Sequence, residues 1–182
     1  MTCIVGLEHK GIVWLGGDSA GTDGALNRVI IKDPKVFLRG DVGIGFGVCG
    51  SPKVMDAVAH AIELPKQQGG EDRAFLVGEL VPALRAGLEK LDCVVKDPVH
   101  GTYFEGSMLV AYRGVLYELE ANFQLIHGSE GYASVGSGSA LALGSLAATT
   151  DIKDPKKRLL KALNVATKNA GVAPPFVLLK VK

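Results

Sequence analysis

Strand-like and helix-like segments fall into blocks along this sequence instead of alternating. Residues 2–49 hold β-branched and apolar runs broken by Gly, Pro and Asp; two helical patterns follow, then a second strand block, two more helical patterns and a last apolar strand. That order argues against a doubly wound parallel sheet. It predicts an α+β, four-layer αββα sandwich, two antiparallel sheets flanked by helix pairs. Thr2–Leu7 and Ile12–Leu15 read as a hairpin across Glu8-His9-Lys10-Gly11, and Gly16–Thr22 as a polar loop. Short strands are expected at Arg28–Ile31 and Lys35–Leu38, separated by the turn Lys32-Asp33-Pro34. In Val42–Cys49 large apolar residues alternate with small ones, so one face is nearly all Gly, which signals close approach by another backbone or a ligand. Ser51-Pro52 reads as a cap opening a helix over Lys53–Leu64. A second helix is expected near Asp72–Leu91, with Phe75, Leu76, Leu80, Leu84 and Leu88 at helical spacing. Strands then fall at Ser107–Tyr112, Val115–Leu119 and Tyr132–Val135, helices at about Ser139–Ala148 and from Pro155 to about Asn169, and a strand at Phe176–Val181.

The chain has 182 residues, 47% of them apolar, with no repeat or linker, so a single domain over residues 1–182 is expected. A formal charge of +1 gives no electrostatic reason to expect nucleic acid or an anionic membrane as partner. Glu8, His9 and Lys10 interrupt the first apolar run where a secretory signal would need it unbroken. The uncharged stretch Gly131–Thr150 holds four Ser and four Gly, too polar for a lipid-facing helix. The odd, widely spaced Cys3, Cys49 and Cys93 read as reduced thiols of a cytoplasmic protein. The four histidines show no ligand spacing, so neither a metal nor another cofactor is expected. Gly45–Gly50 formally matches G-x-G-x-x-G, but the βαβ context that makes it a nucleotide site is missing.

Thr2 is the position richest in chemistry. Removal of Met1 would leave a residue carrying both a hydroxyl nucleophile and its own α-amine. Such an amine, with a pKa of about 7.7–8.0, can serve as general base at neutral pH. Five short motifs appear in order: Thr2-Cys3-Ile4-Val5-Gly6, Gly16-Gly17-Asp18-Ser19-Ala20-Gly21-Thr22, Lys35-Val36, Val48-Cys49-Gly50 and Val135-Gly136-Ser137-Gly138. Together they resemble the proteasome β-subunit family of N-terminal nucleophile (Ntn) hydrolases, in the style of the bacterial HslV peptidase, over nearly the whole chain.

The resemblance implies Thr2 as nucleophile, with its amine as base. It implies Lys35 beside Thr2, Asp18 holding Lys35 charged and oriented, and Ser137 near the amine as proton relay. The amide of Gly50 would donate to the oxyanion. Thr22, Val48 and Ser51 would line the groove that binds peptide as an added strand, with Val48 implying a medium-sized apolar side chain before the cut. Lys32 is the rival for the lysine role. The acidic residue and serine that proteasome members carry beyond the last helix have no clear counterpart in Lys168–Pro174, where Asn169 is the nearest polar residue. The implied activity is a threonine-type endopeptidase acting on peptide or unfolded protein, assembled as a homo-oligomeric ring with an ATP-dependent unfoldase partner. Two alternatives stay open: a non-catalytic ring or scaffold subunit, and an Ntn amidohydrolase of a small amide.

Overall fold

The computed structural model of the chain describes residues 1–22, 27–168 and 171–182. Strands β1 (Ile4–Glu8) and β2 (Val13–Gly17) form the expected hairpin. Its turn has Lys10 at φ 52° and Gly11 at φ 71°, the left-handed pair that matches the twist of a tight hairpin. Short strands β3 (Ala20–Thr22) and β4 (Arg28–Ile30) make a separate ribbon. Strands β5 (Val36–Arg39) and β6 (Ile44–Gly50) start the second sheet. Helix α1 (Pro52–Asp56) runs on as a π-helical stretch, Ala57–Ala61. Then α2 (Asp72–Phe75), a π-helical stretch Leu76–Leu80 and α3 (Val81–Lys90) form one continuous rod.

The second half supplies β7 (Val94–Asp97), β8 (Gly101–Phe104), β9 (Gly106–Tyr112), β10 (Val115–Leu119), β11 (Leu125–Ile126) and β12 (Tyr132–Val135). It closes with α4 (Ser139–Ala147), α5 (Pro155–Ala166) and β13 (Val177–Val181). The first sheet has the order β12-β1-β2-β13 and the second β11-β10-β9-β6-β5, with antiparallel pairing throughout. Three apolar cores define four layers. Cys3, Val5 and Leu7 pack under α4 and α5, while Ile44, Phe46 and Val48 pack under the helices of residues 52–90. Ile4, Leu15, Val36, Leu109 and Val181 fill the space between the sheets. This is the αββα arrangement that the block order predicts.

The glycine face of β6 meets the other sheet. A Cβ at Gly47 would lie 2.5 Å from Ile4 Cγ2, and one at Gly45 would collide with Val181 Cγ2. Of the expected loop Gly16–Thr22, Gly16 and Gly17 belong instead to the central strand β2, paired on both edges with β1 and β13, and Ala20–Thr22 form strand β3, paired with β4. A Cβ at Gly17 would sit 3.2 Å from both Ile4 Cδ1 and Val36 Cγ1, so the same close sheet approach accounts for it.

The helix expected over Lys53–Leu64 stops at Ala61, because Ile62 turns extended and buries its side chain. The second helix starts one residue beyond a cap the sequence reading did not single out: Glu71 accepts from the backbone N–H of Arg73 and Ala74. Helix α5 ends at Ala166, short of Asn169. Strands β7, β8 and β11 were not expected. Two of them form a half-exposed ribbon, and the third is only two residues long.

The sheet contact gives a stability test. Gly47→Val should cost ~1–3 kcal/mol by overpacking. Gly78→Ala, in a helical stretch with open space around it, should be neutral or gain up to ~1 kcal/mol. Urea denaturation of both variants reads the difference, and equal midpoints would contradict the packing account.

Candidate active site

Between β2 and β3 the chain turns through Asp18 and Ser19, both buried. The Asp18 carboxylate is 1% exposed, and four donors satisfy it. Its Oδ1 accepts from Cys3 N at 2.9 Å and Lys35 Nζ at 2.9 Å; its Oδ2 accepts from Ala20 N at 3.0 Å and Ala173 N at 3.4 Å. A charge this deep is tolerable only with a counter-charge and filled lone pairs. Lys35, immediately before β5, supplies the counter-charge and is itself 5% exposed. Its ammonium also donates to Thr2 Oγ1 at 3.0 Å, to Met1 O at 3.1 Å and to the carbonyl of Ala20. Lys32, the rival, is exposed to solvent.

The segment Gly136-Ser137-Gly138 clasps Thr2 from the other side. Thr2 N donates to Ser137 Oγ at 3.1 Å, while the Thr2 carbonyl accepts from Gly138 N at 3.1 Å and Ser137 Oγ at 3.3 Å. The flanking glycines follow from this closeness. Gly136 has φ 96° and a Cβ there would strike the Thr2 carbonyl oxygen; a Cβ on Gly138 would lie 2.7 Å from Cys3 Cβ. Ser137 makes no cap for α4, whose N-cap residue is Gly138. Thr2, Asp18, Lys35 and Ser137 are thus joined in one hydrogen-bonded group.

Thr2 and Lys35 line a cavity of about 240 Å³, together with Val48, Gly50 and Ser51. Along an antiparallel strand successive N–H groups point to opposite edges. Ser51 N donates to Glu105 O on the β9 side, and Val48 N donates to Lys35 O at 2.9 Å on the β5 side. The Gly50 N–H, two residues after Val48, therefore points to the β5 side as well. Strand β5 begins only at Val36, so the cavity occupies the edge opposite Gly50. Gly50 has φ 108°, and a Cβ there would run into the carbonyl of Glu105.

The side chain of Thr22, and Asn169 altogether, lie outside the described residues. Several participants went unread in the sequence: the Ala20 carbonyl, the Ala173 amide, and Ser19, whose hydroxyl donates to Pro175 O at 2.7 Å. Met55 also lines the cavity. Its signal was present, since Pro52 and Met55 are one helical turn apart beyond the Ser51-Pro52 cap. The backbone participants carry no side-chain signature at all.

Cys3, beside the reactive hydroxyl in sequence, turns to the opposite side of the sheet and is fully buried. Burial pushes its thiol up to about 11, against a lowering contribution from the Ser134 hydrogen bond. It stays a neutral thiol at physiological pH. Among the described residues no group of three or more His, Cys, Asp or Glu could hold a metal ion. No described helix is long and apolar enough to cross a membrane.

No family model and no curated protein matches the sequence. Solved structures do. BPH of Thiobacillus denitrificans, in complex with epoxomicin, superposes with a TM-score of 0.77 at 17% identity, covering 100% of this chain and 98% of that one. HslV of Trypanosoma brucei gives 0.68 at 18% identity, covering 100% and 99%. Anbu (ancestral beta-subunit) of Yersinia bercovieri gives 0.69 at 12% identity, covering 99% and 81%. The chain has the fold of the proteasome-type Ntn hydrolases.

Two outcomes follow for the buried groups. Asp18→Asn, which leaves the Lys35 charge without its partner, should cost ~3–5 kcal/mol in urea denaturation, and adding Lys35→Met should recover part of the loss. Because the folded-state pKa of Cys3 is raised, its contribution to stability is complete below the free-thiol pKa of ~8.5 and is lost as pH rises through about 11. A Cys3→Ala variant should lack that alkaline loss.

Proposed function

We propose that the chain is a threonine-type endopeptidase of the proteasome-like class, acting through an acyl-enzyme on Thr2 once Met1 is removed. The observation that carries this reading is the 3.0 Å hydrogen bond from the buried Lys35 ammonium to Thr2 Oγ1, with Asp18 fixing the ammonium. A hydroxyl held against an ammonium is stabilised as it develops alkoxide character. A surface threonine gains nothing from such an arrangement.

The reaction runs as follows. The free amine of Thr2, hydrogen-bonded to Ser137, takes the Oγ1 proton as the oxygen attacks the scissile carbonyl carbon. The resulting oxyanion accepts from the Gly50 N–H, an interaction whose loss typically costs ~100–1000-fold in rate. The tetrahedral species collapses, the C–N bond breaks, and the Thr2 ammonium returns the proton to the leaving amine. Water, deprotonated by the same amine, then attacks the ester carbonyl; the acyl–Oγ1 bond breaks, and the ammonium returns the proton to Oγ1. The side chain of the residue before the cut would enter the cavity at Val48, with Ser51 and the Thr22 edge flanking the peptide. No cofactor takes part. The ring assembly, the unfoldase partner and the cytoplasmic setting that the resemblance implies belong to the same proposal.

Intact-mass measurement on protein produced without an N-terminal tag tests the reading, before and after exposure to a threonine-directed β-lactone. The expected result is loss of Met1 and one adduct mapped to Thr2, absent in Thr2→Ala and nearly absent in Lys35→Ala. A retained Met1 and no adduct would favour the non-catalytic subunit instead. Hydrolysis of small amides with peptides left intact would favour the amidohydrolase.

A further inference from the structure

We infer that the cavity beside Thr2 selects a basic side chain, lysine or arginine, on the residue whose carbonyl is attacked. The inference rests on the peptidase reading and adds the substrate class to it. Apolar walls alone, Val48 among them, would favour an aliphatic side chain. The charged lining of the cavity alters that preference.

Among the described residues, three charged side chains line the cavity: Lys35, Asp33 and Asp56. Lys35 is already neutralised, since Asp18 pairs with it and three further oxygens accept from it. Asp18 itself does not line the cavity. The other two carboxylates are unbalanced: among the described residues neither Asp33 nor Asp56 forms an ion pair or a side-chain hydrogen bond. They come from separate elements, Asp33 from the turn before β5 and Asp56 from the end of α1.

Their placement follows from local geometry. Pro52, Met55 and Asp56 stand at i, i+3 and i+4, so one face of α1 is turned to the cavity. Val48, Ile31 and the buried Met55 supply apolar surface along the same wall. A lysine or arginine matches both halves of this lining: its methylene stem covers the apolar wall and its cationic head reaches the carboxylates. A neutral aliphatic side chain would leave two like charges uncompensated beside it, and a glutamate would add a third. Both aspartates are exposed, so the gain is that of solvent-screened pairs, a preference of about tenfold.

The test uses protein with Thr2 at its N-terminus and fluorescein-labelled tripeptide aldehydes ending in arginine, citrulline or glutamate. Citrulline has the shape of arginine without its charge. Fluorescence polarisation should show the arginine aldehyde binding about tenfold tighter than the citrulline one, and the glutamate aldehyde weakest. In the Asp33→Asn/Asp56→Asn double variant, checked for an unchanged thermal midpoint, arginine and citrulline should bind alike. Equal or tighter binding of citrulline to the unsubstituted protein would overturn the inference. With a β-lactone adduct present on Thr2 of the same sample, that outcome overturns the inference alone. An arginine preference persisting in Thr2→Ala, with no lactone adduct on the unsubstituted protein, would keep the selectivity and overturn the peptidase reading. Neither binding nor adduct would overturn both.

Discussion

The Asp18–Lys35 ion pair, buried on both sides, is the interaction around which this molecule is arranged. Taking two charges out of water costs several kcal/mol per ion, and the cost is offset only where every lone pair and proton finds a partner. Here the partners come from three stretches: the start of the chain at Met1–Cys3, the start of β3 at Ala20, and Ala173 ahead of the last strand. One pair therefore fixes where both sheets begin relative to each other. The hydroxyl of Thr2 is carried into the same network as a consequence of that satisfaction.

Close sheet packing is the second constraint. Gly45 and Gly47 on β6 and Gly17 on β2 have neighbours within contact distance of the Cβ they lack, drawn largely from facing apolar side chains. Thin packing here brings Lys35, rooted beside the second sheet, within hydrogen-bond reach of Thr2, rooted beside the first. Bulk at these positions would move the ammonium away from the hydroxyl. These glycines and the geometry of the site thus share one cause.

Much of this was legible in the sequence, and the reasons divide cleanly. The block order gave the layers, because strand and helix periodicities survive in segments such as Ile44–Gly50 and the rod of residues 72–90. Asp18, Lys35 and Ser137 could be named from motif order, but their joining depends on contacts 17 and 135 positions apart in sequence, which spacing alone does not give. Strands β7 and β8 escaped notice because a half-exposed two-stranded ribbon needs no alternating apolar face. The Ala20 carbonyl and Ala173 amide were invisible for a simpler reason: any residue there offers the same backbone atoms. Asp33 read as a turn residue, and only the fold brings it to the same cavity as Asp56.

The double hold on the carbonyl of Thr2, by Gly138 N and Ser137 Oγ, has an entropic meaning. Together with the tether from Cys3 N to Asp18, it anchors the residue from its C-terminal side. Cutting the bond to Met1 would give up one accepted hydrogen bond, that from Lys35 to the Met1 carbonyl, and none of these anchors. A freed Thr2 would then have little left to order except χ1, and Lys35 already favours the rotamer that meets its ammonium. The freedom a terminal residue ordinarily keeps has been lost on folding, so little remains to be surrendered when its hydroxyl reacts.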